Sequence, residues 1–210
     1  MSRKVAIIDY GSGNLRSAAK AFERAGEEFA VKVTNSPQDI KDASHIVLPG
    51  VGAFGDCKQG LSALVGMIDT LEEEVIKKAK PFLGICVGMQ LMAKFGHEHG
   101  GAVGLSWLDA EVDRLKPQDT SLKIPHMGWN ELKLTPHPLF TGLNDGVHMY
   151  FVHSYQMYCK NPATVLATCD YAGSVTAVVG KDNLLGVQFH PEKSQAAGLQ
   201  LIANFLAWRA

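Results

Sequence analysis

Residues 4–96 alternate between two kinds of segment, and that alternation restricts the fold more than any other feature of the chain. "KVAIID" (4–9), "FAVKVT" (29–34), "HIVLPG" (45–50) and "PFLGIC" (81–86) are short, nearly continuous apolar runs. Between them lie amphipathic stretches. "LRSAAKAFERAG" (15–26) ends at Gly26, and "TLEEEVIKKAK" (70–80) carries its glutamates early and its lysines late, as a helix dipole favours. Strands without polar alternation are covered on both faces, so a parallel sheet flanked by helices is the expectation. "GMQLMAKFG" (88–96) is predicted as a further helix, and the Gly/His-rich "FGHEHGGAVG" (95–104) as an exposed loop.

The second half changes character. Mixed or alternating runs at 107–115, 148–158, 164–171, 175–180 and 184–190 predict an added antiparallel portion, with "KDN" (181–183) as a hairpin turn and a last helix from Ser194 to Trp208. No repeat or linker divides the chain, so residues 1–210 are expected to form one domain. A chain of 210 residues buries roughly 70% of its unfolded surface and needs no staples.

Charge excludes some partners. With 20 basic and 21 acidic residues the formal net charge is −1, which argues against nucleic acid and anionic membranes. No apolar stretch approaches the ~18 residues of a membrane span. Cys57, Cys86, Cys159 and Cys169 form no C-x-x-C pair, and the first apolar run is broken by Asp9, as in a strand rather than a leader. A reduced, cytoplasmic protein is the expectation.

Cys86 lies where "FLGIC" meets "VGMQLMAKF". An isolated cysteine is ordinarily a buried, inert apolar residue. Here it stands in G-x-C-x-G, the cysteine form of a nucleophile elbow. A sharp strand-to-helix turn strains the nucleophile and pushes it out of the sheet. Gly84 and Gly88 let strand and helix approach, the Val87 N–H points at the same space as the sulfur, and the helix N-terminus favours thiolate. A base is available in "FHPEKS" (189–194). Pro191 keeps His190 extended, so that His190 and Glu192, two residues apart, project together as base and orienting acid. Alone, H-P-E reads more readily as a solvated turn. Both motifs end apolar strands, where sheet enzymes place their chemistry. A third strand ends in "LPGVGAFGD" (48–56), whose glycines suit a loop that approaches a ligand, or a flexible surface loop.

These pieces, in this order, resemble a class I (triad-type) glutamine amidotransferase. The resemblance implies an α/β, flavodoxin-like amidotransferase fold without cofactor or metal. It makes Cys86 the nucleophile, His190 the base and Glu192 the acid, with oxyanion donors from Val87, Val51 and Gly52. It also implies that Gly50, Gly52, Gln90, Ser154 and Tyr155 hold glutamine. "IDYGSGNLRS" (8–17), "PHMGWNEL" (125–132), "YFVHSY" (150–155) and "FHPEKSQAAGLQLIANF" (189–205) narrow the resemblance to amidotransferases of histidine biosynthesis. Those pass ammonia to a (β/α)8-barrel cyclase in a heterodimer, and the resemblance turns Asn14, Lys123, Trp129 and Tyr150 toward that partner. Trp129 and Tyr150 suit interface anchors, with core aromatics at strand positions as the second reading. A glutaminase serving another synthase, and a non-catalytic scaffold of the same fold, stay open.

Other motifs carry less. "GSGN" lacks the third glycine of a dinucleotide fingerprint, since Arg16 stands there, and reads as a partner-facing loop. His97 and His99 lie two apart on a glycine-rich loop and read as solvated, without a metal. His126, His137 and His148 suggest no chemistry, and His153 is notable only for its place in "YFVHSY". Cys57, Cys159 and Cys169 read as structural.

Overall fold

A computed structural model describes residues 3–119 and 121–208. The apolar runs of the first half form strands β1 (Arg3–Ile8), β2 (Phe29–Thr34), β3 (His45–Gly50) and β4 (Phe82–Cys86). Helices α1 (Leu15–Ala25), α2 (Pro37–Asp42), α3 (Phe54–Ala63) and α4 (Met67–Leu71) lie between them, α4 running on as a π-helical segment over Glu72–Lys77. Every residue of β3 and β4 is buried, as two-sided cover requires. Helix α5 (Val87–Gln90) follows β4, and short strands β5 (Phe95–Gly96), β6 (Ala102–Val103), β7 (Ala110–Arg114), β8 (His126–Glu131) and β9 (Lys133–Leu134) come next. The chain closes with β10 (His148–His153), β11 (Tyr155–Cys159), β12 (Val165–Asp170), β13 (Ser174–Lys181), β14 (Leu184–Val187) and α6 (Gln195–Ala207).

Among the described residues the main sheet has eight strands in the order β2-β1-β3-β4-β14-β13-β12-β9. Pairing is parallel from β2 to β14 and antiparallel beyond. This is the mostly parallel sheet with an antiparallel extension that the sequence predicts. Two smaller sheets, β10-β8 and β11-β7-β5-β6, stand beside it. The carboxyl ends of β3, β4 and β14 adjoin, since Gly50 pairs with Cys86 and Ile85 with Val187. Among the described residues no helix is long and apolar enough to cross a membrane.

Three local expectations fail. The helix foreseen over 88–96 is one turn long. The carbonyls of Leu91, Met92 and Ala93 accept N–H groups from Leu105, Ser106, Trp107 and Leu108, so a neighbouring loop takes the acceptors that helix continuation needs. The "FGHEHGGAVG" segment is not a plain loop but a small hairpin of β5 and β6. The loop read over 48–56 ends early, because residues from Phe54 wind into α3, and the Glu98 carboxylate accepts the Phe54 N–H at 2.8 Å at its first turn.

Candidate active site

Cys86 ends β4 with φ 55° and ψ −112°, a region that a side chain rarely occupies. Such backbone costs on the order of 1–3 kcal/mol and persists only where the surroundings over-determine it. The surroundings here are backbone against backbone. A Cβ on Gly84 would lie 2.6 Å from the Gly88 carbonyl oxygen, and one on Gly88 only 1.7 Å from the Leu48 oxygen. Strand and helix therefore touch without side chains between them, and the turn between them carries the thiol.

His190 follows β14 and is 2% exposed. Its N–H donates to the Tyr150 carbonyl at 2.9 Å, and its own carbonyl accepts the Ser194 hydroxyl at 2.7 Å. Nδ1 lies 2.8 Å from Glu192 Oε1. A carboxylate accepts, so Nδ1 carries the proton and Nε2 is left for chemistry. Nε2 is buried without a hydrogen-bond partner among the described residues. Burial alone would lower the pKa of His190, but the neighbouring Cys86 sulfur and the Glu192 carboxylate outweigh it and raise it to about 9. The two neighbours thus favour the protonated imidazole. Contrary to the expected extended register, Glu192 sits in a 3-10 turn, Pro191–Lys193, and the turn delivers the carboxylate. Glu192 Oε1 also accepts from Asn14 Nδ2 at 3.4 Å.

Cys86 and His190 open on a cavity of about 290 Å³. Its wall includes Val51, Gly52, Val87, Gln90, Ser154 and Tyr155, all expected there, together with Glu98, Pro125, Val152 and His153, which the sequence reading did not assign to it. Gly50 does not line this wall. It lies behind, where a Cβ would meet the Tyr10 hydroxyl at 2.6 Å and the Gly88 nitrogen at 2.8 Å, so its lack of a side chain serves close approach rather than ligand contact. A larger open groove of about 790 Å³ runs past Trp129 and Asp170 and contains none of Cys86, His190 or Glu192. The reactive groups, not the volume, single out the smaller cavity.

The loop after β3 is held by side chains. The Val51 N–H donates to Ser12 Oγ at 3.2 Å. Its carbonyl accepts from the Ser12 hydroxyl and, at 3.4 Å, from Cys57 Sγ. Val51 therefore directs its N–H at Ser12 and not into the cavity, contrary to its expected place as an oxyanion donor. Cys57, read as merely structural, helps to fix this loop. Gly52 has φ +102°, a conformation that glycine accepts freely.

Two polar networks surround the cavity. Gln90 Nε2 donates to the Tyr155 carbonyl at 3.1 Å and to Gln188 Oε1 at 2.9 Å. Gln188 Nε2 lies 3.6 Å from Cys86 Sγ. His153 Nδ1 meets the same Tyr155 carbonyl at 2.9 Å, and its Nε2 meets His126 Nδ1 at 2.9 Å. Since a carbonyl only accepts, His153 donates through Nδ1 and accepts from His126. Burial pushes both histidines down to about 4, so both are neutral and the order of donors holds. The only sequence signal for Gln188 is a polar residue in the apolar run "LLGVQFH".

The remaining residues lie outside the cavity. Trp129 is 46% exposed and meets Tyr150 edge to face at 6.0 Å between centroids. Lys193 Nζ stands 5.8 Å from the Tyr150 ring centre. Lys123 is exposed, and its carbonyl accepts the Tyr171 hydroxyl at 2.6 Å. Asn14 turns to Glu192 as described. His97 pairs with Glu111 at 2.7 Å.

Residues 6–208 match the family model described as glutamine amidotransferase class-I. The chain is 55% identical over 214 residues to the imidazole glycerol phosphate synthase subunit HisH of Brucella suis biovar 1, with 98% of this chain and 99% of that protein covered. It is 54% identical over 211 residues to the subunit of the same name from Rhodospirillum rubrum, with the same coverage of 98% and 99%. Among solved structures, a chain of the structure of PurLQS from Thermotoga maritima superposes with a TM-score of 0.74 at 19% identity, covering 99% of each chain, and this likeness speaks to the fold alone.

Proposed function

The chain belongs to the class I glutamine amidotransferases, and from that premise we propose that it is the glutaminase subunit of an imidazole glycerol phosphate synthase in histidine biosynthesis. In this reading it hydrolyses glutamine and hands ammonia to a (β/α)8-barrel cyclase bound as a heterodimer. The cyclase then makes imidazole glycerol phosphate and aminoimidazole carboxamide ribotide. Residues 1–210 act as one amidotransferase domain in the cytoplasm, a reading supported by the continuous buried core and by four cysteines without disulfides.

The observation that carries the reading is the Cys86, His190 and Glu192 arrangement, of which Cys86 and His190 line a cavity sized for a small ligand. The Cys86 thiolate attacks the carboxamide carbon, and the C=O electron pair moves onto oxygen. The Val87 N–H and one donor from the Val51–Gly52 segment hold that oxyanion. Protonated His190 gives its Nε2 proton to the leaving nitrogen, the C–N bond breaks, and ammonia departs from a thioester. His190, now neutral, takes a proton from water as the water attacks. Collapse returns the electron pair to the carbonyl, expels the thiolate and releases glutamate. Both N–H bonds of the Gln90 amide are engaged, so its Oε1 is the atom free to accept an N–H of substrate.

Val51 gives this reading a regulatory side. One oxyanion donor is worth about 10²–10³ in rate. With the Val51 N–H on Ser12, the isolated subunit works slowly, and the liganded cyclase frees the peptide. Trp129, Tyr150, Lys123 and Asn14 are the residues we place toward the cyclase.

Glutamate release tests all of this. It is measured with purified chain, with and without cognate cyclase and its ribotide ligand, and with Cys86→Ala as control. Cys86-dependent release that rises steeply with liganded cyclase is expected. Release that ignores the cyclase discards this pathway and keeps the triad. No release from folded protein discards the enzyme.

A further inference from the structure

Gln188 is fully buried, next to the end of an otherwise apolar strand. A buried amide there is costly unless both its ends are used, and a leucine of similar size would bury at no such cost. The amide's orientation follows from its neighbours. The Tyr155 carbonyl can only accept, so the Gln90 atom 3.1 Å from it is the nitrogen. That nitrogen has a second N–H, and it meets Gln188 at 2.9 Å, so the Gln188 atom there is the oxygen. The other end of Gln188 is therefore its nitrogen, and it faces Cys86 Sγ at 3.6 Å. Gln188 and His190 lie two residues apart and both turn to the sulfur, the first as a fixed donor and the second as the proton carrier.

We propose that Gln188 is a further catalytic residue of this site: its side-chain N–H donates to the Cys86 sulfur and holds it as thiolate, in an orientation imposed through Gln90 by the Tyr155 carbonyl. The inference rests on Cys86 being the nucleophile of the proposed reaction. No bond forms or breaks at Gln188. It stabilises the charged sulfur before attack and again when the thioester collapses. Gln90 is a positioning residue in this respect, because it dictates which end of Gln188 meets the sulfur. Glutamine itself is read by other atoms, so the loss of the Gln188 N–H falls on kcat and leaves KM nearly unchanged where Gln90 keeps an acceptor.

The test uses the subunit in complex with its cyclase and reads three quantities at one neutral pH: glutaminase kcat, its KM, and the rate at which iodoacetamide alkylates Cys86. Gln188→Leu removes the amide, whereas Gln188→Met keeps a weak acceptor for Gln90, its thioether sulfur, and removes the donor. Each is expected to lower kcat about 10- to 100-fold, the value of a hydrogen bond to a charged group, with slower alkylation, and Gln188→Met keeps KM within about twofold. Wild-type alkylation and kcat in folded Gln188→Met overturn the proposal, and so does a loss confined to KM. If neither variant folds, side-chain amide NMR of wild-type complex decides. A downfield Gln188 N–H proton that moves upfield in Cys86→Ala supports the bond, and an unmoved one overturns it. Gln188-dependent alkylation in a complex that releases no glutamate supports the hydrogen bond and discards the glutaminase reading instead.

Discussion

The two walls that meet at Cys86 are built differently. On one side the elbow rests on backbone contacts between β3, β4 and α5, and His190 is fixed by Glu192, Tyr150 and Ser194. On the other side the Val51 peptide is held by one hydroxyl and one thiol, and Gly52 next to it has no steric reason to stay in place. Moving the first wall means separating close-packed main chain. Moving the second means exchanging a few hydrogen bonds, each worth about 1 kcal/mol net. The proposed nucleophile and base are thus firmly held, and the proposed oxyanion donor is the adjustable part.

Substitutions on either side sharpen or break this contrast. The largest effect belongs to Cys86→Ala, which we expect to abolish glutamate release, a loss of about 10⁴-fold or more, with the fold intact by circular dichroism. Glu192→Gln keeps the shape and loses the charge. We expect kcat to fall by about 10²–10⁴ and the His190 titration to move below 9, read by NMR of the imidazole. An unchanged titration would mean that Glu192 does not hold the imidazolium. The wild-type stability profile follows the same pair. His190 is raised on folding, so its contribution is fully present below about pH 6.5 and is lost as pH rises through about 9, measurable as a falling urea midpoint.

Gly88→Ala probes the rigid wall by overpacking. With a Leu48 oxygen 1.7 Å from the new carbon, a loss of about 3 kcal/mol or more is expected in chemical denaturation. A loss below about 1 kcal/mol would show that this wall yields after all. Ser12→Ala probes the other wall and carries the opposite sign. Releasing the Val51 N–H should raise the cyclase-free rate by about tenfold, short of the 10²–10³ of a fully placed donor. A lower rate would make Ser12 a support of the active geometry. Smallest in its effect on the subunit alone is Trp129→Ala. It should leave the cyclase-free rate unchanged and weaken cyclase binding by about 2 kcal/mol, read by calorimetry.

The sequence carried the permanent wall and not the adjustable one. Continuous apolar runs marked β1 to β4 because two-sided burial leaves no room for polar alternation. Cys86, His190 and Glu192 were legible because glycines and a proline constrain the backbone within two residues of them. Ser12 and Gln188 act on partners 39 and 102 residues away, a relation no local pattern records. The mistaken helix over 88–96 has the same origin. Leu91, Met92 and Ala93 are buried as a helix would bury them, but their carbonyls are taken by a loop that sequence periodicity cannot see. Helix α3 was missed because Gly55 and Gly60 look like breakers, although a Cβ at Gly60 would press on the Tyr10 carbonyl at 2.8 Å. β8 was missed because "HMGWNE" holds only one fully buried residue, His126.

The turn between β1 and α1 joins the two walls. Ser12 touches the Val51 peptide and Asn14 touches the Glu192 carboxylate, only two positions apart in the chain. A docked partner that displaces this one short stretch reaches both the electrophilic side and the proton-transfer side in a single movement. The turn then ties the two walls together: while both contacts hold, the movable peptide on one side and the carboxylate on the other are moored to the same three residues. Lengthening it by one residue between Ser12 and Asn14 should let the two contacts slip independently, and glutamine turnover would lose its synchrony with the acceptor of its ammonia.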